Sequence, residues 1–342
     1  MLTERQLLIL QMIIDDFIET AHPVGSRALA KKKNMPYSAA TIRNEMADLE
    51  DLGFLEKTHS SSGRIPSEKG YRYYVDHLIA PISDKSNKKI LKDIIDQEIY
   101  ELEQIAQISA EVLSELTNYT SIILEPELLE TKLKQLQIVP LSSRSAVAIL
   151  VTDTGHVEHR TMKMKNDIDP SDLEKVVNIL NDKLQGVPIV RLEEVFQREI
   201  TKLLKQYVRN FDESYEYIKN ILAHEQPVNL YIGGKANILL QPEFRDISKI
   251  YSFLTMMENK EQIAELLKNT KHGIEVTIGN ENEIEAIKDL SLITTTYHFG
   301  EGQVGTIALL GPTRMEYRKV ISLLSSLSKE MSDVLHKYFP SS

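Results

Sequence analysis

Between residues 38 and 44 the chain carries hydrogen-bonding side chains at spacings that fit the first turns of a helix, namely Ser38, Thr41, Arg43 and Asn44. An Arg guanidinium matches the O6 and N7 acceptors of guanine, and an Asn amide matches the N6 and N7 edge of adenine. Hydroxyl groups suit phosphate oxygens, and a Thr methyl group suits the thymine methyl. The chemistry that these side chains predict is contact with a DNA duplex.

Each of these side chains also has an ordinary structural interpretation. Arg43 would be a solvated surface charge, but its helical neighbours three and four positions away offer no acidic partner. We therefore predict that Arg43 contacts a base. For Asn44 both base contact and a bond to Asp48, one turn further on, remain open. Thr41 is better suited to a phosphate or a thymine methyl group.

A helix with defined ends must present these residues. Ser38 is a good N-cap, because its hydroxyl accepts a bond from a free N–H of the first turn, and Gly53 is a good stop. The apolar residues between them follow one another at spacings of four and three: Ile42, Met46 and Leu49. They form one buried stripe, so the polar side chains point outward.

Two further helices and a hairpin are predicted around this helix. Thr3 and Gln6 form a capping box for a first helix, and Ser26 caps a short second helix. After Gly53 a short strand leads into a polar loop that contains Ser62, Gly63 and Arg64. The order of three helices, strand and loop indicates a winged helix, in which Arg64 on the wing suits a phosphate or a narrow minor groove.

The local charge supports this interpretation. From residue 20 to residue 44 the chain has no acid and five basic residues, which are Arg27, Lys31, Lys32, Lys33 and Arg43. Such a stretch favours attraction to the phosphate backbone, although a lysine run by itself is more often a solubilising surface. Residues 1–80 carry 10 basic and 11 acidic side chains, so the positive charge is local to this face.

Several stretches carry a closer resemblance. They are Leu2-Thr3-Glu4-Arg5-Gln6, Pro23-Val24-Gly25-Ser26-Arg27, Ala40-Thr41-Ile42-Arg43-Asn44-Glu45-Met46, Ser62-Gly63-Arg64-Ile65-Pro66, Gly70-Tyr71-Arg72, Asp289-Leu290-Ser291-Leu292-Ile293 and Gly311-Pro312-Thr313-Arg314-Met315-Glu316-Tyr317. In this order they resemble the HrcA family of bacterial heat-inducible transcription repressors.

The resemblance implies a dimer that represses chaperone operons from an inverted-repeat operator, the CIRCE element, with assistance from the GroEL chaperonin. It also implies a GAF-like domain interrupted by an inserted dimerising domain. The residues then expected to contact DNA are Ser38, Thr41, Arg43, Asn44, Ser62, Gly63, Arg64 and Arg27.

Composition sets the broad class of the remaining chain. The 342 residues carry a net charge of −10, 42% hydrophobic residues and no cysteine, so disulfides and thiolate metal sites are excluded. The apolar N-terminal residues are interrupted by acids, and the longest apolar runs are too short to span a bilayer. These features predict a cytoplasmic protein without a membrane segment.

Beyond a linker at residues 81–87, the periodicity predicts a mixture of helices and strands. The predicted helices cover residues 88–116, 169–186, 192–222 with a possible break near 212, and the C-terminal segment; the predicted strands cover 145–151, 156 onward, 228–232, 274–278, 291–299 and 306–310. The strands on either side of the helical block at 167–271 can share one sheet only if that block is an insertion.

The predicted fold class is therefore α+β and multidomain, with an N-terminal winged helix-turn-helix and an interrupted GAF-like α/β domain. The predicted domains are residues 1–80 for the winged helix, 81–166 and 272–342 for the two parts of the GAF-like domain, and 167–271 for the inserted dimerising domain. A two-fold operator requires a two-fold protein, and the insertion is a suitable place for the interface. The alternative function is a regulator whose GAF-like core binds a small molecule.

An enzyme is not predicted. The segment Gly300-Glu301-Gly302-Gln303-Val304-Gly305 has the spacing of a dinucleotide motif, but the residues after it predict a strand rather than the required helix. Gly233-Gly234-Lys235 lacks the spacing of a phosphate loop. His156 and His159, three apart on a strand, project to opposite faces and do not form a metal pair. We expect no cofactor and no catalytic residue.

Overall fold

The computed structural model describes residues 2–58, 63–79, 102–126, 131–142, 144–153, 155, 157–163, 170–202, 204, 211–222, 228–244, 246–268, 270–299 and 303–338. The chain divides into two compact units. The first unit contains Met1–Pro126 and Val228–Tyr338, and the second contains Glu127–Pro227 with Phe339–Ser342. Among the described helices, none has the length and apolar character needed to cross a membrane.

The N-terminal part of the first unit forms three helices, a hairpin and a further helix. The elements are α1 (Glu4–Thr20), α2 (Ser26–Leu29), α3 (Ala39–Asp51), β1 (Leu55–Lys57), β2 (Arg64–Pro66) and α4 (Glu68–His77). Strands β1 and β2 pair antiparallel. The capping box of Thr3 and Gln6 is present at the start of α1. The predicted order of elements is thus confirmed, and the apolar stripe of α3 is buried against α1 and α2.

The remaining elements follow the chain from the first unit into the second and back into the first. They are α5 (Leu102–Thr117), β3 (Thr120–Leu124), β4 (Leu133–Ser142), β5 (Ser145–Thr152), β6 (Val157–Lys163), α6 (Pro170–Leu184), α7 (Leu192–Val195) with a π-helical turn at Phe196–Ile200, α8 (Phe211–Leu222), β7 (Leu230–Gly233), α9 (Ile247–Glu258), α10 (Lys260–Lys268), β8 (Glu275–Ile278), β9 (Leu290–Phe299), β10 (Gln303–Pro312) and α11 (Tyr317–Tyr338).

An antiparallel sheet of five strands forms the centre of the first unit. Its strand order is β7-β3-β10-β9-β8. Helices α5 and α11 pack on one face, and apolar residues of α9 and α10 pack on the other. All five residues of the interior strand β3 are buried, as expected of a strand that is covered on both faces.

The second unit has its own sheet and its own core. Strands β4, β5 and β6 form an antiparallel meander, and α6, α7 and α8 contribute apolar side chains to the core on one of its faces. Burial alternates along β5, so only one face of this sheet is covered. The Asn181 side chain donates to the carbonyl of Leu136 and accepts from its N–H, both at 2.7 Å, and so joins α6 to β4.

The boundaries of these units differ from the predicted ones. The strands at 145–163 do not join the sheet of residues 274–310, because they pair with β4 and bury their apolar face on α6–α8. Residues 247–268 do not belong to the insertion, because α9 and α10 pack on the five-stranded sheet. The inserted unit therefore spans 127–227 instead of 167–271.

Most predicted elements beyond the winged helix are confirmed. Residues 303–305 of the glycine-containing segment belong to β10, which pairs antiparallel with β9 from Gln303 and Phe299 onward, whereas residues 300–302 lie outside the described residues. The predicted helix at 88–116 is described only from Leu102 onward, and its earlier part lies outside the described residues. Strand β3 and strand β4 were not predicted from the sequence.

The point where the chain leaves and returns to the first unit carries a buried carboxyl group. The Glu125 N–H donates to the carbonyl of Asn229 at 3.0 Å, and the Asn229 amide donates to Glu125 Oε2 at 2.8 Å. Glu125 Oε1 has no hydrogen-bond partner among the described residues. Burial raises the pKa of Glu125 from 4.5 to about 7, and its bonds to Asn229 and Tyr231 oppose that shift.

The raised pKa of Glu125 predicts that the stability of the folded protein depends on pH. Because folding raises this pKa, the folded state holds the proton more tightly, so the free energy of unfolding falls as pH rises from about 4.5 to about 7. The full effect is on the order of 3 kcal/mol. We expect Glu125→Gln to raise the melting temperature at pH 8 and to leave it nearly unchanged at pH 4.5.

Glu283→Gln, at an exposed carboxylate, is the matched control for this prediction. Thermal unfolding of both variants and the parent chain over this pH range provides the measurement. Equal melting temperatures for parent and Glu125→Gln at pH 8 would contradict the prediction.

Candidate nucleic-acid interface

Helix α3 has the ends that the sequence predicts. The Ser38 hydroxyl accepts from the Thr41 N–H at 3.2 Å and lies 2.9 Å from the Thr41 hydroxyl. At the other end Gly53 has φ of +78°. Its N–H donates to the carbonyl of Glu50, and the next N–H donates to Leu49. This pattern is a Schellman ending, in which a positive φ favours glycine.

The outward face of α3 presents the predicted reading residues. Arg43 and Asn44 are exposed, as are Ala47 and Asp48 one turn further on. The side chains of Arg43 and Asn44 make no hydrogen bond or ion pair with any other described residue, so the alternative bond from Asn44 to Asp48 is not formed. Thr41 is half-buried and Ser38 is exposed at the N-terminus. The two side chains best suited to bases are therefore free to contact a ligand.

One acidic residue of α3 lies inward and was missed by the sequence interpretation. Glu45 is only 7% exposed, and its carboxylate pairs with Arg5 of α1 at 2.6 Å. The Arg5 guanidinium also lies 5.7 Å from the centre of the Tyr37 ring, just before α3. The available signal is the position of Glu45 on the apolar stripe, three residues after Ile42 and one before Met46. This pair fixes α3 against α1.

One of the basic residues before α3 forms an ion pair within the protein. Lys32 pairs with Asp16 of α1, so much of its charge is compensated within the protein. Arg27, Lys31 and Lys33 are exposed. Their charges lie in the acid-free stretch of the sequence, where they support general attraction to phosphates.

The base of the wing is held by backbone pairing and close packing. Val24 and Arg64 exchange both backbone hydrogen bonds, at 2.8 and 2.9 Å, which adds an isolated β-bridge beside the two-stranded hairpin. Gly63 is buried, and a Cβ atom there would lie 2.9 Å from the backbone carbon of Pro23. Close packing against Pro23 is therefore sufficient to explain a glycine at position 63. Ser62 lies outside the described residues.

Arg64 does not project freely from the wing. Its side chain is 16% exposed, and its Nε and Nη2 atoms lie 2.7 and 2.6 Å from Glu50 Oε2. Glu50 belongs to the last turn of α3, so this pair joins the wing strand to the helix. A guanidinium paired in this way carries less charge toward a phosphate. The structure favours a positioning role for Arg64 over the phosphate contact expected from the sequence.

Two substitutions distinguish these roles. If Arg64 positions the wing through Glu50, then Arg64→Ala and Glu50→Gln should both weaken binding to all duplexes, and neither should change the salt dependence. If Arg64 contacts a phosphate, Arg64→Ala should reduce the slope of log affinity against log salt by about one. Glu50→Gln would then strengthen binding by releasing the cation. Salt titrations of duplex binding by both variants decide between these outcomes.

Three helices, a two-stranded hairpin and an exposed polar face on the third helix match the arrangement predicted for a winged helix, within a chain of the α+β class. The HrcA protein C-terminal domain model matches residues 103–321. The heat-inducible transcription repressor HrcA of Oceanobacillus iheyensis is 63% identical over 339 residues, which cover 99% of either chain. The chain belongs to the HrcA family.

A solved structure shares the fold. A crystal structure described as a hypothetical protein at 2.2 Å resolution has a TM-score of 0.72 and 21% sequence identity. The match covers 99% of this chain and all of that chain. At this level of identity the likeness supports the α+β fold alone.

Proposed function

We propose that this protein represses transcription of heat-shock operons, and specifically chaperone operons, by binding DNA through the face of α3. The observation that carries the proposal is the exposed pair Arg43 and Asn44 on a helix with defined ends, which suits base contact. The repressor name of the 63% identical relative supports the same function. A regulator of this kind acts without catalysis, and its place of action is the cytoplasm.

The proposed operator is an inverted repeat, the CIRCE element, bound by a homodimer. The inserted unit offers a candidate interface, because the uncovered face of its sheet carries an apolar stripe, Val147, Ile149 and Val151 of β5, between polar residues such as Gln137 and His159. Val139 and Val147 face each other across β4 and β5, as do Val151 and Val157 across β5 and β6. Val139 and Val157 are exposed on this face. An exposed apolar stripe of this type favours association with a second copy.

Selection of bound genomic fragments tests the proposed operator directly. Purified protein is mixed with sheared genomic DNA, and the bound fraction is sequenced. The expected result is enrichment of an inverted repeat upstream of chaperone genes. Enrichment without a repeat, or no enrichment over a variant with Arg43→Ala and Asn44→Ala, would contradict the proposal.

We further propose that the GroEL chaperonin assists by raising the fraction of protein competent to bind. A chain with two separate apolar cores exposes apolar surface when it is incompletely packed, and such species aggregate. Apparent affinity scales with the competent fraction. Chaperonin with its nucleotide should therefore increase the active fraction and leave the dissociation constant of active protein unchanged.

An operator titration at known total protein, with and without chaperonin, measures both quantities. Electrophoresis of the complex then shows whether chaperonin migrates with the DNA. Stable comigration, or a complete active fraction without chaperonin, would contradict this mechanism.

The alternative, a small molecule bound by the GAF-like core, stays a prediction. Helices cover both faces of the five-stranded sheet in the described part of the first unit, and apolar side chains fill the space on the α9 side. Thermal-shift screening against nucleotides and metabolites is the measurement that tests it.

A further inference from the structure

Three arginines outside the predicted DNA-binding face join the winged helix to the sheet domain within the first unit. Arg314 lies between β10 and α11, and its side chain is 13% exposed. It pairs with Glu243 at 2.5 Å and donates to the carbonyl of Ile18 at 3.4 Å. Ile18 belongs to the last turn of α1, where carbonyl groups lack helical partners and a cation is favourable.

Arg318 makes the corresponding contact with the fourth helix. It belongs to the first turn of α11 and donates to the carbonyl of Leu78, the C-cap of α4, at 3.2 Å. Its guanidinium carbon lies 5.8 Å from the centre of the Tyr74 ring. Two arginines four residues apart thus hold the C-terminal ends of two different helices of the winged-helix domain.

Arg72 reaches in the opposite direction, from α4 to the edge of the sheet. It donates to the carbonyl of Val276 in β8 at 2.6 Å and pairs with Glu281 and with Asp76. The hydrogen bond to Glu281 is the largest cause that raises the pKa of Arg72. One turn earlier the Glu68 carboxylate accepts from the backbone N–H and side-chain amide of Asn280.

Two tyrosines fill the space between these contacts. The ring centres of Tyr71 and Tyr317 are 6.0 Å apart. Tyr317 is fully buried, donates from its hydroxyl to the Thr313 carbonyl at 2.6 Å, and lies 2.6 Å from the Ser291 hydroxyl. We call Arg72, Arg314, Arg318, Tyr71 and Tyr317 the joint. Its residues come from segments more than 200 positions apart in the chain.

The joint holds the orientation of the winged-helix domain as well as its position. Because α1, the end of α4 and the middle of α4 each have a separate contact with the sheet domain, the winged-helix domain is restrained against rotation relative to it. Helix α3 packs on α1, so its orientation relative to the sheet domain follows. In a dimer on a two-fold operator, that orientation is one determinant of the separation of half-sites that both recognition helices can reach.

We propose that Arg72 and Arg314 are positioning residues that set the half-site spacing read by the dimer, without touching DNA themselves. This inference rests on the proposed dimeric binding to an inverted repeat. A dimer gains affinity from its second half-site only when both reading helices are held in a compatible geometry. Loss of the joint should therefore affect the linkage between half-sites more than the contact with either one.

The test uses the full-length chain and the inverted repeat recovered by fragment selection. Duplexes with one to five base pairs added to or removed from the spacer, and a duplex with a single half-site, are titrated. The variants are Arg72→Gln and Arg314→Gln, with the milder Arg72→Lys. The matched control is Lys249→Gln, which removes an exposed ion pair to Asp289 within the sheet domain.

The parent chain and the control should prefer one spacing strongly. Arg72→Gln and Arg314→Gln should bind the single half-site within about twofold of the parent, bind the best spacing about tenfold more weakly, and show a flatter spacing profile. Arg72→Lys should lie between them and the parent, because a lysine keeps the charge but not the paired geometry. Retained half-site binding also shows that the variants fold.

Two results would overturn the inference. One is an unchanged spacing profile in both Gln variants. The other is an equal loss on the single half-site and on every full operator, which would limit the arginines to supporting the fold of the winged helix. If the Gln variants fail to bind any duplex, the spacing profile of Arg72→Lys is compared with that of the parent chain, and an unchanged profile overturns the inference. A parent chain that prefers no full operator over a half-site would instead refute the proposed dimeric function.

Discussion

Removal of residues 127–227, with Pro126 joined to Val228 by a short flexible linker, is expected to yield a folded monomer that has lost tight operator binding. The two ends are adjacent, because Glu125 and Asn229 are hydrogen-bonded to each other. The five-stranded sheet keeps all its strands and its core. Without the proposed interface the gain from linked half-sites, about 10²- to 10⁴-fold, should disappear.

Light scattering and operator titration measure the two effects. A gentler version replaces Val139 and Val157 by lysine on the uncovered sheet face, which should dissociate the dimer without removing the unit. The matched control is Ile247→Lys, at an apolar residue of α9 that is 82% exposed in the first unit. If the dimer survives the deletion, or if it dissociates only in the control, the dimer interface belongs to the first unit and the proposed interface is wrong.

Replacement of Arg43 by alanine is expected to cost about 1–3 kcal/mol of specific binding in each half-site and to relax the preference at one base pair. The physical reason is loss of two parallel hydrogen bonds from an exposed guanidinium to one guanine edge. Binding to unrelated duplexes should change much less. Affinity measured for operators with each base at each half-site position identifies the relaxed position.

Arg43→Lys is the control that separates shape from charge. Lysine keeps the positive charge but lacks the planar fork, so specificity should fall while the salt dependence stays that of the parent. If the lysine variant keeps full base preference, or if Arg43→Ala weakens all sequences equally, Arg43 binds a phosphate and the base assignment is wrong.

Local signals were sufficient to predict the order of helices and strands in the N-terminal part of the chain. Caps at Thr3 and Ser38, the Gly53 stop and the apolar stripe of α3 depend on neighbours within one or two turns, so sequence spacing carries them. The same periodicity predicts that the side chains of Arg43 and Asn44 point outward from α3. Whether they contact bases remains a prediction.

The contacts that differ from expectation are all long-range. The pairing of Arg64 with Glu50, the burial of Glu45 on Arg5 and the assignment of β5 to a separate sheet depend on which distant segments pack together. Residue spacing places Glu45 on the buried stripe, but it does not identify the distant partner in any of these three cases. The joint illustrates this, because Arg72, Arg314 and Tyr317 belong to stretches that carry the family resemblance but have no evident local role.

The position of β3 in its sheet has a consequence for synthesis on the ribosome. Its five buried residues end at Leu124, yet its neighbours β7 and β10 begin only at Leu230 and Gln303. At about 20 residues per second, roughly 180 further residues take on the order of ten seconds to emerge. Both edges of β3 stay unpaired until β7 emerges, after roughly 110 residues and about five seconds, and the edge next to β10 stays unpaired for the whole interval. The winged helix before it already has all of its residues.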